Sequence, residues 1–488
     1  MRLHDLLGAV DVLELTGNSQ VEVSDIVHDS RRAARGALFC CIRGAVTDGH
    51  DHAPDAVERG AAALLVERPL ALPVPQARVA RVRAAMGPIA ARFYGEPARG
   101  LRVLGVTGTN GKTTTTYLIE AIARAAGEPA GVIGTTGVRI AGVAEPLQLT
   151  TPEATEVQAL LARMRDASVG TVAMEVSSHA LAYQRVDGIE FATVCFTNLS
   201  QDHLDEHGTL EDYFEAKARL FTPAFSSSAA VAADDDHGIE LAARATRAGL
   251  DVTTFGVDVD ASVRASDLEL DRGGSTFRIE AGPGGRETVR IPLLGRFNVQ
   301  NALAAAATSL AGGLPFEAVL RGLEAGVVVP GRMERVDAGQ PFTVLVDYAH
   351  TPEALDRLVG EARRLAGGHR VVLVFGCGGD RDPGKRAPMG AAAAGADAVV
   401  LTNDNPRSED PGAIAAAAEA GLRERGAAYT VELDRRAAIR DALGRAAAGD
   451  VVVVAGKGHE RGQDIGGDVS AFDDRVVARE ELEALAWT

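Results

Sequence analysis

The chain has 488 residues, and at roughly 150 residues per domain that length predicts about three domains. Apolar residues make up 46% and charged residues 24%, an ordinary balance for a globular protein with real cores. The net charge of −17 argues against a broad nucleic-acid-binding or anionic-membrane-binding face, and an anionic small substrate would need local cationic pockets and metal ions.

The opening MRLHDLLGAVDVLELTG carries acids inside its apolar stretch and no small-residue cleavage pattern, so it reads poorly as a signal peptide. Residues 1–98 contain the short strand-like runs GALFCCIRG and AAALLVERPL with small helices between them, and GEPARG before Leu101 marks a joint. From 99 to 330, strand-like segments alternate with helical ones: LRVLGVTG, TVAMEVSS, FATVCFTNLS, AAVAADDD and VTTFGVD. That alternation predicts an α/β domain with a mostly parallel sheet. A more β-rich insert, STFRIEAGPGGRETVRIPLLG, precedes a predicted helix over 298–311.

The run VVVPGRMERV places a linker signal at Pro330-Gly331. Beyond it, 331–488 repeat the alternation in FTVLVDYAH, RVVLVFGCGG, ADAVVLTND, AYTVEL and DVVVVAGKG, which predicts a second, doubly wound α/β domain. The alanine tracts 391–394 and 415–418 read as helix faces. The four cysteines (Cys40, Cys41, Cys195, Cys377) lack CxxC spacing, which fits a reducing compartment without a disulfide or zinc framework. No run of roughly eighteen strongly apolar residues predicts a membrane span. A cytoplasmic protein is expected.

The chemistry begins at LRVLGVTGTNGKTTTTYLIEAIARAAG, a strand, a glycine-rich turn and a helix. Gly108 and Gly111 let backbone N–H groups curl around phosphate oxygens, Lys112 can reach the β and γ oxygens, and the Thr113 hydroxyl is placed for Mg²⁺. The strict spacing GxxxxGK[ST] asks for glycine at 106, where Val106 stands. ATP binding is nonetheless predicted, with Thr109, Asn110 and Thr114 completing the loop.

The short form G108-T-N-G-K-T113 resembles the Mur ligase family of ATP-dependent amide-bond ligases, and the resemblance covers essentially the whole chain. It implies three α/β domains: an N-terminal UDP-substrate-binding domain, a central P-loop ATPase-like domain and a C-terminal Rossmann-like amino-acid-binding domain. Taken singly, Glu175 in AMEVSSHAL, His203 in FTNLSQDHLDEHG and Lys217 in LEDYFEAKARLF have bland readings as a strand-end acid, a turn histidine and a solvated lysine. In this order they match the family's central domain. The resemblance implies that Glu175 and Thr113 hold one Mg²⁺, and that His203, Glu175 and a carbamylated Lys217 hold a second. A plain ammonium beside Mg²⁺ would be repelled by about 8 kcal/mol at about 4 Å and an effective dielectric of about 20, and carbamylation reverses that sign.

The implied reaction has two steps: a carboxylate attacks ATP to give an acyl phosphate, and an amine displaces phosphate. Arg332 in PGRMERV and Asp347 in VDYAHTPEAL match positions that meet ATP, with His350 and Asn298 near the nucleotide. The N-terminal DIVHDSRRAARGALFCCIRG resembles the UDP-sugar module of the family branch that adds the third residue of the peptidoglycan stem. His28, Ser30, Ala45, Val46 and Thr47 fall at its UDP-contacting positions, and Thr150, Thr151, Ser177 and Arg185 at other substrate positions. Leu149 and Tyr183 depart from the family's common asparagine and glutamine.

DNPR, from Asp404 through Asn405 and Pro406 to Arg407, follows a strand in a doubly wound sheet, where open α/β sheets place ligands. In this branch the tetrapeptide marks enzymes that add meso-diaminopimelate, which is lysine with a second carboxylate. A guanidinium can grip that carboxylate with two parallel hydrogen bonds. Arg381, Gly456 and Glu460 match the remaining amino-acid positions, and Glu460 suits the distal ammonium. The expected partners are UDP-MurNAc-L-Ala-D-Glu and meso-diaminopimelate, without nucleic acid or membrane, and the expected state is a monomer. L-Lysine or another diamino acid in the same reaction is a second reading, and a non-catalytic nucleotide-binding relative a third.

Overall fold

The computed structural model describes residues 1–44, 47–282 and 285–485. Three sheets organise the chain. The first has five strands in the spatial order Glu14–Thr16, Gln76–Arg78, Ala63–Val66, Ala37–Cys40 and Asp25–Val27, parallel except at the Glu14–Thr16 edge.

The second sheet has eleven strands. Its centre is Arg102–Thr107, flanked in parallel by Thr171–Glu175 on one side and Thr193–Phe196 on the other. Antiparallel hairpins extend both edges, and the β-rich insert forms the strands Gly274–Ala281 and Gly285–Ile291 on one of them. Side chains alternate across the central strand. Leu104 and Val106 join a core under the helices Lys112–Ala125 and Arg296–Ala311, while Val103 joins the core on the opposite face. Covering both faces is why these strands read as near-continuous apolar runs. Each fully buried Leu or Val contributes on the order of 1.5–3 kcal/mol.

The third sheet has six strands, ordered Glu334–Val336, Thr343–Asp347, Val451–Ala455, Val371–Cys377, Ala398–Asn403 and Tyr429–Val431. All neighbours but the first pair are parallel. The insertion of Val451–Ala455 between Thr343–Asp347 and Val371–Cys377 creates a switch in strand order, and ligands of open α/β sheets bind at the carboxyl ends beside such a switch. A two-stranded hairpin, Gly462–Ile465 with Asp468–Ala471, follows the last parallel strand. The alanine tracts lie in the helices Arg386–Ala393 and Pro411–Glu424, with Ala394 as the cap of the first.

Among the described residues no helix is long and apolar enough to cross a membrane. The four cysteines are buried and unpaired.

Candidate active site

The central strand Arg102–Thr107 ends in the glycine-rich turn, and Lys112 opens the helix that follows. Gly108 has a φ of +145°, and a Cβ there would lie 1.9 Å from the Thr197 hydroxyl. A side chain is thus excluded twice, by conformation and by space. Val106 is fully buried inside the strand, so the turn begins two residues later than the longer motif requires. The turn is braced from the neighbouring strand's end: Asn198 Oδ1 accepts from the Asn110 amide at 2.9 Å, and Thr197 Oγ1 donates to the Asn110 carbonyl at 2.6 Å. Lys112 Nζ folds back and donates to the carbonyls of Gly108 (2.8 Å) and Thr109 (2.9 Å). Burial lowers its pKa, while Glu175 and Asp202 oppose that shift.

Glu175 ends the adjacent strand and is 1% exposed. Its carboxylate accepts from the Thr135 amide and from the Thr135 hydroxyl, both at 2.9 Å, which fixes its plane. Thr113, the first-turn hydroxyl of the loop helix, receives a hydrogen bond from Arg332 Nη2 at 3.3 Å. Lys217, on the helix Leu210–Ala218, is also 1% exposed. Its Nζ donates to the Gly108 carbonyl at 3.1 Å and lies 4.2 Å from the Tyr213 ring centroid. Burial, with the nearby Lys112 charge, pushes its pKa well below the usual lysine range.

His203 has a left-handed φ of +54° and packs edge-on against His179, centroids 4.8 Å apart. Desolvation lowers its pKa although the side chain is 42% exposed, and Asp202, 3.3 Å from Nε2, opposes the shift. Among the described residues no group of three or more His, Cys, Asp or Glu side chains converges as a metal cluster. The oxygen donors Thr113 Oγ1 and Glu175 nevertheless suit a hard cation that takes its other ligands from water and phosphate, as Mg²⁺ does.

These groups line one cleft of about 670 Å³, together with Thr109–Thr114, Thr150, Thr151, Ser177, Arg185, Arg332, Asp347 and His350. Thr151 Oγ1 donates to the Glu175 carbonyl at 2.8 Å, and Thr150 Oγ1 lies 3.1 Å from Thr135 Oγ1. Ser177 caps the short helix Ser178–Ala182 by accepting from the Ala180 amide. Arg185 Nε donates to Glu153 at 3.0 Å, which orients the guanidinium. Asp347 accepts from the amides of Met333 (2.7 Å) and Ala349 (2.8 Å), and burial raises its pKa against the pull of Arg332.

A second cavity of about 480 Å³ adjoins the first through His203, His350, Arg381 and Glu460, which line both. Asp404, Asn405, Arg407 and Gly456 line this second part. Arg407 has a φ of +53°, and its backbone is clamped by the hairpin: its amide donates to the Asp464 carbonyl at 3.1 Å, and its carbonyl accepts from Gly466 at 2.7 Å. Its Nη1 donates to the Gly379 carbonyl.

Several expected positions lie elsewhere. Asn298 is buried in its helix, donating to the Leu294 carbonyl at 2.8 Å and accepting from Asn301 at 3.0 Å, and the residue that lines the cleft is Asn301. Pro406 is buried behind the second cavity, its carbonyl where a Cβ on Gly379 would sit. Gly108 shapes the turn without lining either cavity, and the same holds for His28, Ser30 and Thr47 in the N-terminal domain. His28 instead bridges to the central domain, its Nδ1 3.1 Å from Thr155 Oγ1. Ala45 and Val46 lie outside the described residues. Asn301, Asp202, Tyr348 and His459, which the sequence motifs do not mark, also line the cleft, as does His179 of AMEVSSHAL. The spacing of three between Asn298 and Asn301, neighbours on one helix face, is the signal that could have found Asn301.

Comparison with known proteins matches three family models along the chain. The Mur ligase family catalytic domain covers 22–94, the Mur ligase middle domain 106–309, and the Mur ligase glutamate ligase domain 331–458. The chain is 45% identical over 490 residues to a UDP-N-acetylmuramoyl-L-alanyl-D-glutamate–2,6-diaminopimelate ligase of Geobacillus kaustophilus, covering 98% of this chain and 99% of the relative. It is 47% identical over 481 residues to the ligase of the same name from Streptomyces avermitilis, covering 96% and 94%. A solved structure of a ligase so named superposes with a TM-score of 0.72 at 33% identity, covering 100% of both chains. Those matches span the phosphate loop, the central sheet and the C-terminal sheet alike, and the chain belongs to the Mur ligase family.

Proposed function

We propose that this protein is an ATP-dependent ligase joining meso-2,6-diaminopimelate to the D-Glu carboxylate of UDP-MurNAc-L-Ala-D-Glu, a step of peptidoglycan precursor synthesis. The observation that carries the reading is the joined cleft. A phosphate loop lies at one end, and Arg407 with Glu460 at the other, with His203, His350, Arg381 and Glu460 common to both parts. The names of the relatives supply the substrates.

The work divides among residues 1–98 for the UDP-substrate, 99–330 for ATP and 331–488 for the amino acid. ATP lies with its phosphates on the 108–114 backbone, and Lys112 swings from its loop carbonyls to the β and γ oxygens. Thr150, Thr151, Ser177 and Arg185 hold the dipeptide end so that the D-Glu carboxylate faces the γ-phosphorus. A carboxylate oxygen bonds to that phosphorus while the bond to the bridging oxygen breaks, giving the acyl phosphate and ADP. Lys112 and Arg332 offset the charge on the moving phosphoryl group. The diaminopimelate amine, having lost its proton, then attacks the acyl carbon, and phosphate leaves. Arg407 pairs with the distal carboxylate, and Glu460 with the distal ammonium. Enclosure between domains keeps water from the acyl phosphate.

Mg²⁺ bound at Thr113 and Glu175, and with His203 at a second position, would supply further neutralisation of phosphate charge. We assign a carbamate to Lys217, because a deeply buried amine with no carboxylate in ion-pair range among the described residues is disposed to be neutral, the form that reacts with CO₂. Lys217→Ala should then be nearly inactive and partly rescued by a small carboxylate; full activity would refute that role. The buried free cysteines fit a reducing compartment, and we place the enzyme in the cytoplasm, working as a monomer.

The test is phosphate release from ATP with UDP-MurNAc-L-Ala-D-Glu and meso-diaminopimelate. Release that requires all three supports the reading, and none with diaminopimelate refutes it.

A further inference from the structure

Lys457 is a fully buried lysine that no step above uses: its side chain is 0% exposed. It lies just past the carboxyl end of Val451–Ala455, between Gly456 and Glu460, which line the amino-acid pocket. Nζ donates to Asn405 Oδ1 at 2.9 Å and to Glu460 Oε2 at 3.1 Å, and Asp404 Oδ1 lies at 3.8 Å. Asn405 closes the triangle, since its Nδ2 donates to the same Glu460 Oε2 at 2.8 Å. The amide of Asn405 is itself fixed by two donors on one side, Lys457 Nζ and the Asp464 backbone N–H at 3.1 Å.

This arrangement has a direction. Both hydrogen bonds to Glu460 fall on Oε2, while 32% of the Glu460 side chain remains exposed and the residue lines both parts of the cleft. Oε1 is therefore the oxygen left for a ligand. The charges agree: the cations Lys457 and Arg435 face three carboxylates, Asp404, Glu460 and Asp474, the last paired with Arg435, so the cluster retains one negative charge. A buried cluster short of one cation favours a cationic ligand.

We propose that Lys457 is a positioning residue for amino-acid selection: through Asn405 and directly, it locks Glu460 so that the free oxygen meets the distal ammonium of the incoming diamino acid. This rests on the proposed function, in which Glu460 receives that ammonium. It predicts that Lys457 matters to the ammonium and to nothing else in the reaction.

The test compares wild type, Lys457→Met and Lys457→Gln in steady-state phosphate release with diaminopimelate and, in separate reactions, with 2-aminopimelate, an alternative substrate that keeps the reacting amine and the distal carboxylate but lacks the distal ammonium. The expected result is an increase of about tenfold or more in KM for diaminopimelate. KM for ATP and KM for 2-aminopimelate should stay within about twofold of wild type. An unchanged KM for diaminopimelate overturns the proposal, and so does an equal loss for diaminopimelate and 2-aminopimelate, which would make Lys457 a general support. Should Lys457→Met fail to fold, the glutamine variant decides; if neither folds, the residue holds the domain together and the proposal falls. Failure of the proposed function is separate, because it appears as wild type releasing no phosphate with diaminopimelate.

Discussion

The two ends of the cleft are built in opposite ways. The phosphate loop is one continuous segment, and its contacts are largely made by backbone: Lys112 bonds to loop carbonyls, and Asn198 and Thr197 grip the Asn110 backbone. The amino-acid pocket is assembled from separate segments around 378–381, 404–407 and 456–460; side chains hold side chains around Glu460, and the hairpin clamps the Arg407 backbone. Backbone contacts survive most substitutions, so such a loop serves any reaction that starts from ATP. A pocket of interlocked side chains can be retuned one residue at a time, which suits the part of a ligase that chooses its amino acid.

The largest expected effect lies beneath the pocket. Arg435 and Asp474 form an ion pair with both side chains 0% exposed, at 2.6 Å, and Arg435 also donates to the carbonyls of Asn403 and Ala455 at the ends of two pocket-bearing strands. Removing one partner of a buried pair costs about 3–5 kcal/mol. Arg435→Ala should therefore lower the stability of the C-terminal domain by that order in denaturant melts. Next comes Lys112→Ala, expected to reduce kcat by about 10²–10³-fold with either amino acid offered. Arg407→Ala should raise KM for diaminopimelate by about 10–100-fold and leave KM for ATP nearly unchanged. Equal effects on both constants would erase the distinction between the two ends.

The last effect is a pH dependence, absent at neutral pH. Burial, followed by the charges of Arg332 and Arg475, lowers the His459 pKa from 6.5 to about 3. The unfolded chain thus binds a proton in this window that the folded chain refuses. The stability contribution is present above pH 6.5 and is lost as pH falls toward about 3. Thermal melts of His459→Gln should decline less steeply than wild type over that range.

How far the sequence disclosed this depends on whether a feature is local. The alternation of strands and helices, the phosphate loop and the DNPR turn each sit within a few consecutive residues, where periodicity and turn chemistry operate. Val106 departs from the longer glycine spacing because it is still inside the strand, and the turn needs freedom only from Gly108. The family resemblance puts Asn298 near the nucleotide, yet helical spacing turns Asn301 to the cleft. Lys457, in DVVVVAGKG, carries no local mark, because a buried lysine is recognised only by partners that lie 52 residues away in Asn405 as well as beside it. His28 faces Thr155 across a domain boundary, a contact that no local pattern encodes.

The central claim is that the side-chain pocket, and not the phosphate loop, chooses the amino acid. It is tested most directly by offering equal concentrations of meso-diaminopimelate and L-lysine in one reaction with ATP and UDP-MurNAc-L-Ala-D-Glu, and weighing the product by mass spectrometry. The account predicts the diaminopimelate adduct from the wild-type enzyme, and a product ratio shifted toward lysine from Arg407→Ala. A lysine adduct from wild type, or an unchanged ratio in the variant, would contradict it.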